Sequence, residues 1–188
     1  MLIPSHIGEP LTMTIFSARI RYILVPLTTA ALSLGLGSCV GAPTPIERDE
    51  TGEVAEVNES ADVFALELGD CVDEYNSESE IESGEEVEID TVPVVPCSEP
   101  HDYEVYLSHI IDSETYPGDD EMVTLADDIC FDAFEPFVGL DYDSSRFTFG
   151  TMYPSQMSWN GLDDREILCL VTDVNYAKLT GSVAGIAE

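Results

Sequence analysis

Four cysteines, Cys71, Cys97, Cys130 and Cys169, are spread through the second two-thirds of the chain, and how they are joined limits every fold the chain can adopt. None stands in a Cys-x-x-Cys pair, so the spacing argues against a zinc site. It argues for disulfides, provided the chain reaches an oxidising compartment. Four cysteines allow three pairings. A fifth, Cys39, closes an apolar run near the start and decides whether the others meet such a compartment.

Arg19 and Arg21 form a basic start to that run, which extends from Tyr22 to Leu36. It is shorter than the roughly 20 apolar residues of a membrane span. Pro26, Gly35 and Gly37 weaken it further. It therefore reads as the apolar part of a signal peptide. The run ends in Leu36-Gly37-Ser38-Cys39, which resembles the bacterial lipobox. Residues 1–38 are thus expected to be a lipoprotein signal peptide. The Cys39 thiol would carry the acyl chains, palmitate among them, that hold the protein to the outer face of the cytoplasmic membrane. Residues 1–12 hold Glu9 and no base, which leaves Met1 and Met13 both open as the initiator.

Residues 39–61 are rich in Pro, Gly and Glu and lack periodicity, so they are expected to form an acidic disordered tether. The folded domain is expected over residues 62–186. The whole chain has 38 acids against six bases, a net charge of −32. Such a field repels nucleic acid and attracts cations.

Val63 to Leu68 alternates and runs into Gly69-Asp70-Cys71, predicting a strand that enters a turn. Residues 73–86 predict a solvated acidic loop. Val87 to Val95 alternates in part, and Pro93 and Pro96 predict an edge position. Tyr103 to Ile111 predicts a stronger strand, which makes the Cys97–Asp102 connection a hairpin loop. After Pro117-Gly118, Asp119 is expected to cap a helix. Met122, Leu125, Ala126, Ile129, Ala133, Phe134 and Phe137 give it one apolar stripe. Pro136 and Gly139 are expected to end it. Arg146 to Tyr153 predicts a strand, residues 154–164 a loop or short helical turn around Trp159, and Glu166 to Thr172 a central strand covered on both faces. The fold class is α+β, a small antiparallel sheet of four to five strands packed on one main helix, with two disulfides. Cys71 and Cys97 lie at the ends of neighbouring strands. Cys130 lies beside the helix stripe and Cys169 in the strand that the stripe covers. The favoured pairing is therefore Cys71–Cys97 and Cys130–Cys169.

These residues resemble the septum formation domain family of actinobacterial envelope proteins. The likeness is carried by Leu68-Gly69-Asp70-Cys71, by Val92-Pro93-Val94-Val95-Pro96-Cys97-Ser98-Glu99-Pro100-His101-Asp102-Tyr103-Glu104-Val105, and by Tyr116-Pro117-Gly118-Asp119. Cys130, Tyr153-Pro154, Ser158-Trp159, Cys169-Leu170-Val171 and Leu179-Thr180-Gly181-Ser182 continue it. The resemblance implies an envelope location, membrane or lipid anchors in keeping with Cys39, and a link to septum formation. The acidic load here is heavier than is usual for the family.

No Gly-x-Ser-x-Gly elbow and no His-Glu-x-x-His helix is present. His101 has Glu99, Asp102 and Glu104 nearby but no free nucleophile, so it reads as a loop histidine that fixes the turn after Cys97. His109 reads as a buried or edge residue. Glu99, His101, Asp102 and Trp159 are the candidate partner contacts. The acids from Glu78 to Glu88 could gather divalent cations but lack a calcium loop's spacing. Asp141-Tyr142-Asp143 begins such a loop, yet Arg146 stands where a glycine is needed and Met152 where a glutamate is needed. No metal, cofactor or catalytic residue is assigned. The expected function is a non-enzymatic interaction module of the envelope. Its expected partners are the cytoplasmic membrane, through the Cys39 lipid, and an envelope or division protein. The alternatives are a cation- or small-ligand-binding lipoprotein and an envelope hydrolase using His101.

Overall fold

The computed structural model describes residues 43–73 and 89–188. The leader, Cys39 and the acidic run from Glu78 to Glu88 lie outside the described residues. Among the described residues, six strands form one sheet in the order β1-β3-β2-β4-β6-β5. They are β1 (Asn58–Asp62), β2 (Cys71–Val72), β3 (Thr91–Val95), β4 (Tyr103–Ile110), β5 (Phe147–Met152) and β6 (Glu166–Asp173), all paired antiparallel. The helix α1 spans Asp119–Val138 and a short helix α2 spans Gln156–Gly161. The class is the expected α+β one, with six strands in place of four to five.

Alternation along β6 shows why the sheet is covered on both faces. Ile167, Cys169 and Val171 join Tyr106 and Phe147 under the α1 stripe of Ala126, Cys130, Phe134 and Val138. Leu168 and Leu170 point the other way, into a cluster with Val72, Val92, Val94 and Val105. That second cluster is completed by Val54, Ala61 and Leu66. Residues 43–61, expected to be a disordered tether, are therefore part of the domain, which begins before residue 62. The strand expected at Val63–Leu68 lies just upstream as β1, and Val63–Ala65 is a single 3₁₀ turn capped by Asp62.

Two further expectations are corrected. Pro93 lies in β3, which is interior, between β1 and β2. The sheet tolerates it because pairing with β2 stops at Val72. The next residue, Asp73, donates its N–H to the Pro93 carbonyl at 3.0 Å, and only the return bond, which proline cannot make, is missing. The β1 register also shifts opposite Pro93, between Asn58 and Ala61. The Cys97–Asp102 connection is not a hairpin. β3 and β4 both pair with β2 and are therefore parallel to each other, so the connection must cross β2.

In α1 the N-cap is Gly118, at φ 106°, a backbone state that favours glycine. Asp119 is the first helical residue and accepts a 2.8 Å bond from the Tyr116 hydroxyl. Pro136 lies within the helix, which ends two residues later at Val138 with Gly139 left-handed at φ 86°. The cost is small because Asp132 and Pro136 are on the exposed face, so the carbonyl that loses its N–H meets water.

The disulfides are Cys71–Cys97 and Cys130–Cys169, the favoured pairing, with sequence separations of 26 and 39. Closing loops of that size in the unfolded chain is worth about 3–4 kcal/mol each on the chain-entropy account. Cys130–Cys169 ties α1 to the strand it covers. Cys71–Cys97 ties the crossover to the strand it crosses.

Candidate binding face around the Cys97–Asp102 crossover

The crossover is held at both ends and in its middle. Cys97 is bridged to Cys71 of β2, and its carbonyl accepts the Gly181 N–H at 2.6 Å. His101 and Leu179 exchange two backbone bonds, of 3.1 and 2.7 Å. The Asp102 N–H reaches the Val72 carbonyl at 3.0 Å. Lys178 bridges two carboxylates, pairing with Asp102 at 2.9 Å and with Asp73. Burial opposes the charge on Lys178, but its bonds to Asp73 and Asp102 outweigh that and raise its pKa. The tail beyond it docks through Glu104, a buried carboxylate that accepts from the Ser182 hydroxyl and, at 2.8 Å, from the Val183 N–H.

His101 is fully buried. Its Nδ1 lies 2.8 Å from the Glu99 carbonyl. A carbonyl only accepts, so Nδ1 is the donor of that bond. Its Nε2 is buried and has no partner among the described residues. A general base needs a proton to take within hydrogen-bond reach and a route for substrate. Among the described residues His101 is buried without such a partner, and through its bond to the Glu99 carbonyl it fixes the shape of the loop.

Of the four candidate contacts, then, the structure puts Glu99 on the surface and Asp102 half-buried against Lys178, but buries His101 and Trp159. Trp159 lies on α2 with the Arg165 guanidinium 3.7 Å above its ring and Tyr116 at 5.6 Å, so its contacts are internal. His109, expected to be buried or at an edge, is exposed on β4 where that strand pairs with β6. The outward surface of the crossover is Ser98, Glu99 and Pro100. Tyr176, 81% exposed and at φ 58°, lies within electrostatic reach of Tyr103, at the start of β4. Burial first, and then Asp102 and Tyr176, raise the pKa of Tyr103 on the same side. Tyr176 and Lys178 carried no sequence signal beyond the rarity of bases.

These elements define a class: a small α+β domain whose crossover is fastened by a disulfide and by its own C-terminal segment. The septum formation family model matches residues 81–188, and the chain belongs to that family. The proteins named "Putative lipoprotein LppN" of Mycobacterium tuberculosis and Mycobacterium bovis are each 30% identical over 94 residues, which is 49% of this chain and 51% of theirs. The chain thus spans about half the length of the curated relatives it matches. No solved structure matches it. The family match starts after Cys71, β1 and β2, so it omits one partner of the first disulfide and the strand that the crossover spans.

Proposed function

We propose that this protein is a lipid-anchored envelope protein whose domain binds a partner during septum formation, with the crossover as its contact face. The family name, the lipoprotein name of the mycobacterial relatives and the lipobox at Cys39 support the location. The observation that carries the binding role is the fastening of the crossover. A loop tied by a disulfide, a backbone pair and an ion pair loses little freedom on binding. It presents Glu99 and Pro100 in a fixed pose, with the exposed Tyr176 near Tyr103 on the adjoining strand, while the buried histidine serves to shape it.

The experiment is site-specific photocrosslinking in dividing cells, with the photoreactive residue at Glu99, at Tyr176 or, as a control, at Asp49. Discrete adducts from positions 99 and 176, absent from position 49, are the expected result. Equal adduct patterns at all three positions refute the crossover as the contact face.

A further inference from the structure

The outward face of α1 is acidic, and one large apolar ring stands in it. Phe131 is 54% exposed and packs on the Tyr142 ring at 5.6 Å. Between the helix and the turn at 141–143 runs an open cleft of about 490 Å³, lined by Phe131, Tyr142, Asp132, Glu135, Asp141 and Asp143 among others. Asp141 is partly occupied in capping its turn, accepting from Ser144 N–H. The Tyr142 hydroxyl hydrogen-bonds with Thr148 Oγ1, 2.8 Å away on β5, so cleft and strand adjoin.

β5 is the last strand of the sheet. Its residues pair one for one with β6, and among the described residues no strand pairs with its other edge. Edge strands are commonly guarded by charge, proline or a bulge. Phe147-Thr148-Phe149-Gly150-Thr151-Met152 has no charged residue and no proline, and its register is unbroken.

We propose that this edge and the adjoining cleft receive an extended basic segment of a partner protein. The backbone of that segment adds to β5 from Gly150 to Met152, beyond the two residues that Tyr142 touches, Thr148 and Phe149, and one of its lysine or arginine side chains enters the cleft. Strand addition supplies affinity through backbone bonds, and the side-chain pocket supplies choice. Two aromatic faces beside carboxylates suit an organic cation with an apolar stem, which gains from both. A bare metal ion would gain nothing from the rings. A second copy of the chain is disfavoured because each carries −32. The chain does not supply the cation from its described residues either. Arg48, Arg146, Arg165 and Lys178 are all in ion pairs. The other two bases, Arg19 and Arg21, are in the leader expected to be removed. This surface is separate from the crossover, and neither reading depends on the other.

The test is fluorescence anisotropy on the purified chain with a labelled, capped octapeptide alternating lysine with threonine. Two control peptides carry acetyl-lysine in place of lysine, or methyl groups on alternate backbone nitrogens. Phe131→Ala, and Asp132→Asn combined with Glu135→Gln, are each expected to raise Kd about tenfold. Glu53→Gln combined with Glu56→Gln, the same charge change elsewhere on the surface, is expected to shift it about twofold at most. Both control peptides are expected to bind at least about tenfold more weakly. The proposal is overturned if the distal pair matters as much as the cleft pair, or if Phe131→Ala is silent. It is equally overturned if backbone methylation leaves Kd unchanged. A melting curve checks each variant's fold, and the isosteric Asp132 and Glu135 changes carry the test if Phe131→Ala unfolds.

Discussion

Replacing Arg48 by alanine tests whether residues 43–57 belong to the domain. The Arg48 guanidinium grips Asp70 with two bonds, of 2.6 and 2.8 Å, and also donates to the carbonyls of Gly52 and Ala65, each at 3.2 Å. Its side chain is 18% exposed and that of Asp70 only 3%. The bond to Asp70 is the main cause that raises the Arg48 pKa. Without Arg48, the Asp70 carboxylate stays buried with the Glu67 N–H, at 2.8 Å, as its remaining side-chain bond among the described residues. Removing one partner of a buried pair costs about 3–5 kcal/mol. One bond to Asp70 survives and Arg48 is not fully buried, so the lower end, about 3 kcal/mol, is expected for Arg48→Ala. Arg48→Lys keeps the charge but loses the two-pronged geometry and is expected to cost about 1–2 kcal/mol. With Asp70→Asn as the second change, the double variant should be more stable than the two single losses summed, by about 1.5 kcal/mol. The assay is urea denaturation followed by circular dichroism at neutral pH, in low and high salt. A loss below about 1 kcal/mol for Arg48→Ala refutes the reasoning. So does a loss that high salt abolishes, because that is how an exposed, screened pair behaves.

Two further outcomes are expected. Wild-type chain expressed in an actinobacterial host should take up a labelled fatty acid, and Cys39→Ala should not; absence of label from the wild type refutes the anchor. At alkaline pH, burial raises the pKa of Tyr106, whose hydroxyl donates to the Cys130 carbonyl at 2.7 Å. A raised folded pKa gives stability that is present below the ordinary tyrosine value of 10.0 and is lost as pH climbs above it. Tyr106→Phe should therefore be about 1 kcal/mol less stable at pH 7. It should also lose stability less steeply above about pH 10, by up to about 1.4 kcal/mol per pH unit. Parallel alkaline limbs in the two proteins refute this.

What was legible in the sequence was whatever rests on apolar periodicity. β4, α1, β5 and β6 stand within a residue or two of where alternation and the three- and four-residue stripe put them. The segment 43–61 escaped because a polar pair, Arg48–Asp70, and backbone bridges such as Thr44 with Ala61 hold it down, and neither leaves a periodic trace. The hairpin expectation failed for a related reason. β2 supplies only Cys71 and Val72 to the sheet, yet it enters between β3 and β4, which begin only at Thr91 and Tyr103. His101 sits among Glu99, Pro100 and Asp102, a local setting that reads as surface. What buries it includes Leu179, which reaches the loop only in the folded state. For Trp159 a core or loop-anchoring role is the favoured alternative to an exposed contact, and Arg165 and Tyr116, which cover it from either side in sequence, give it that role.

The rarity of bases was the sequence signal with most left in it. A chain with this surplus of acid repels itself, and a base placed anywhere would relieve some of that repulsion. The four described bases are not scattered for relief. Arg48 joins the N-terminal segment to β2's entry, and Lys178 joins the tail to the crossover through Asp102. Arg146 reaches Glu188, the last residue, and Arg165 covers the α2 tryptophan. Each helps to fasten a segment outside the long strands and the main helix, and each is in an ion pair. The carboxylates of α1 and the 141–143 turn are consequently left facing solvent with no ion pair among the described residues, which is the charge pattern that the proposed basic segment would meet.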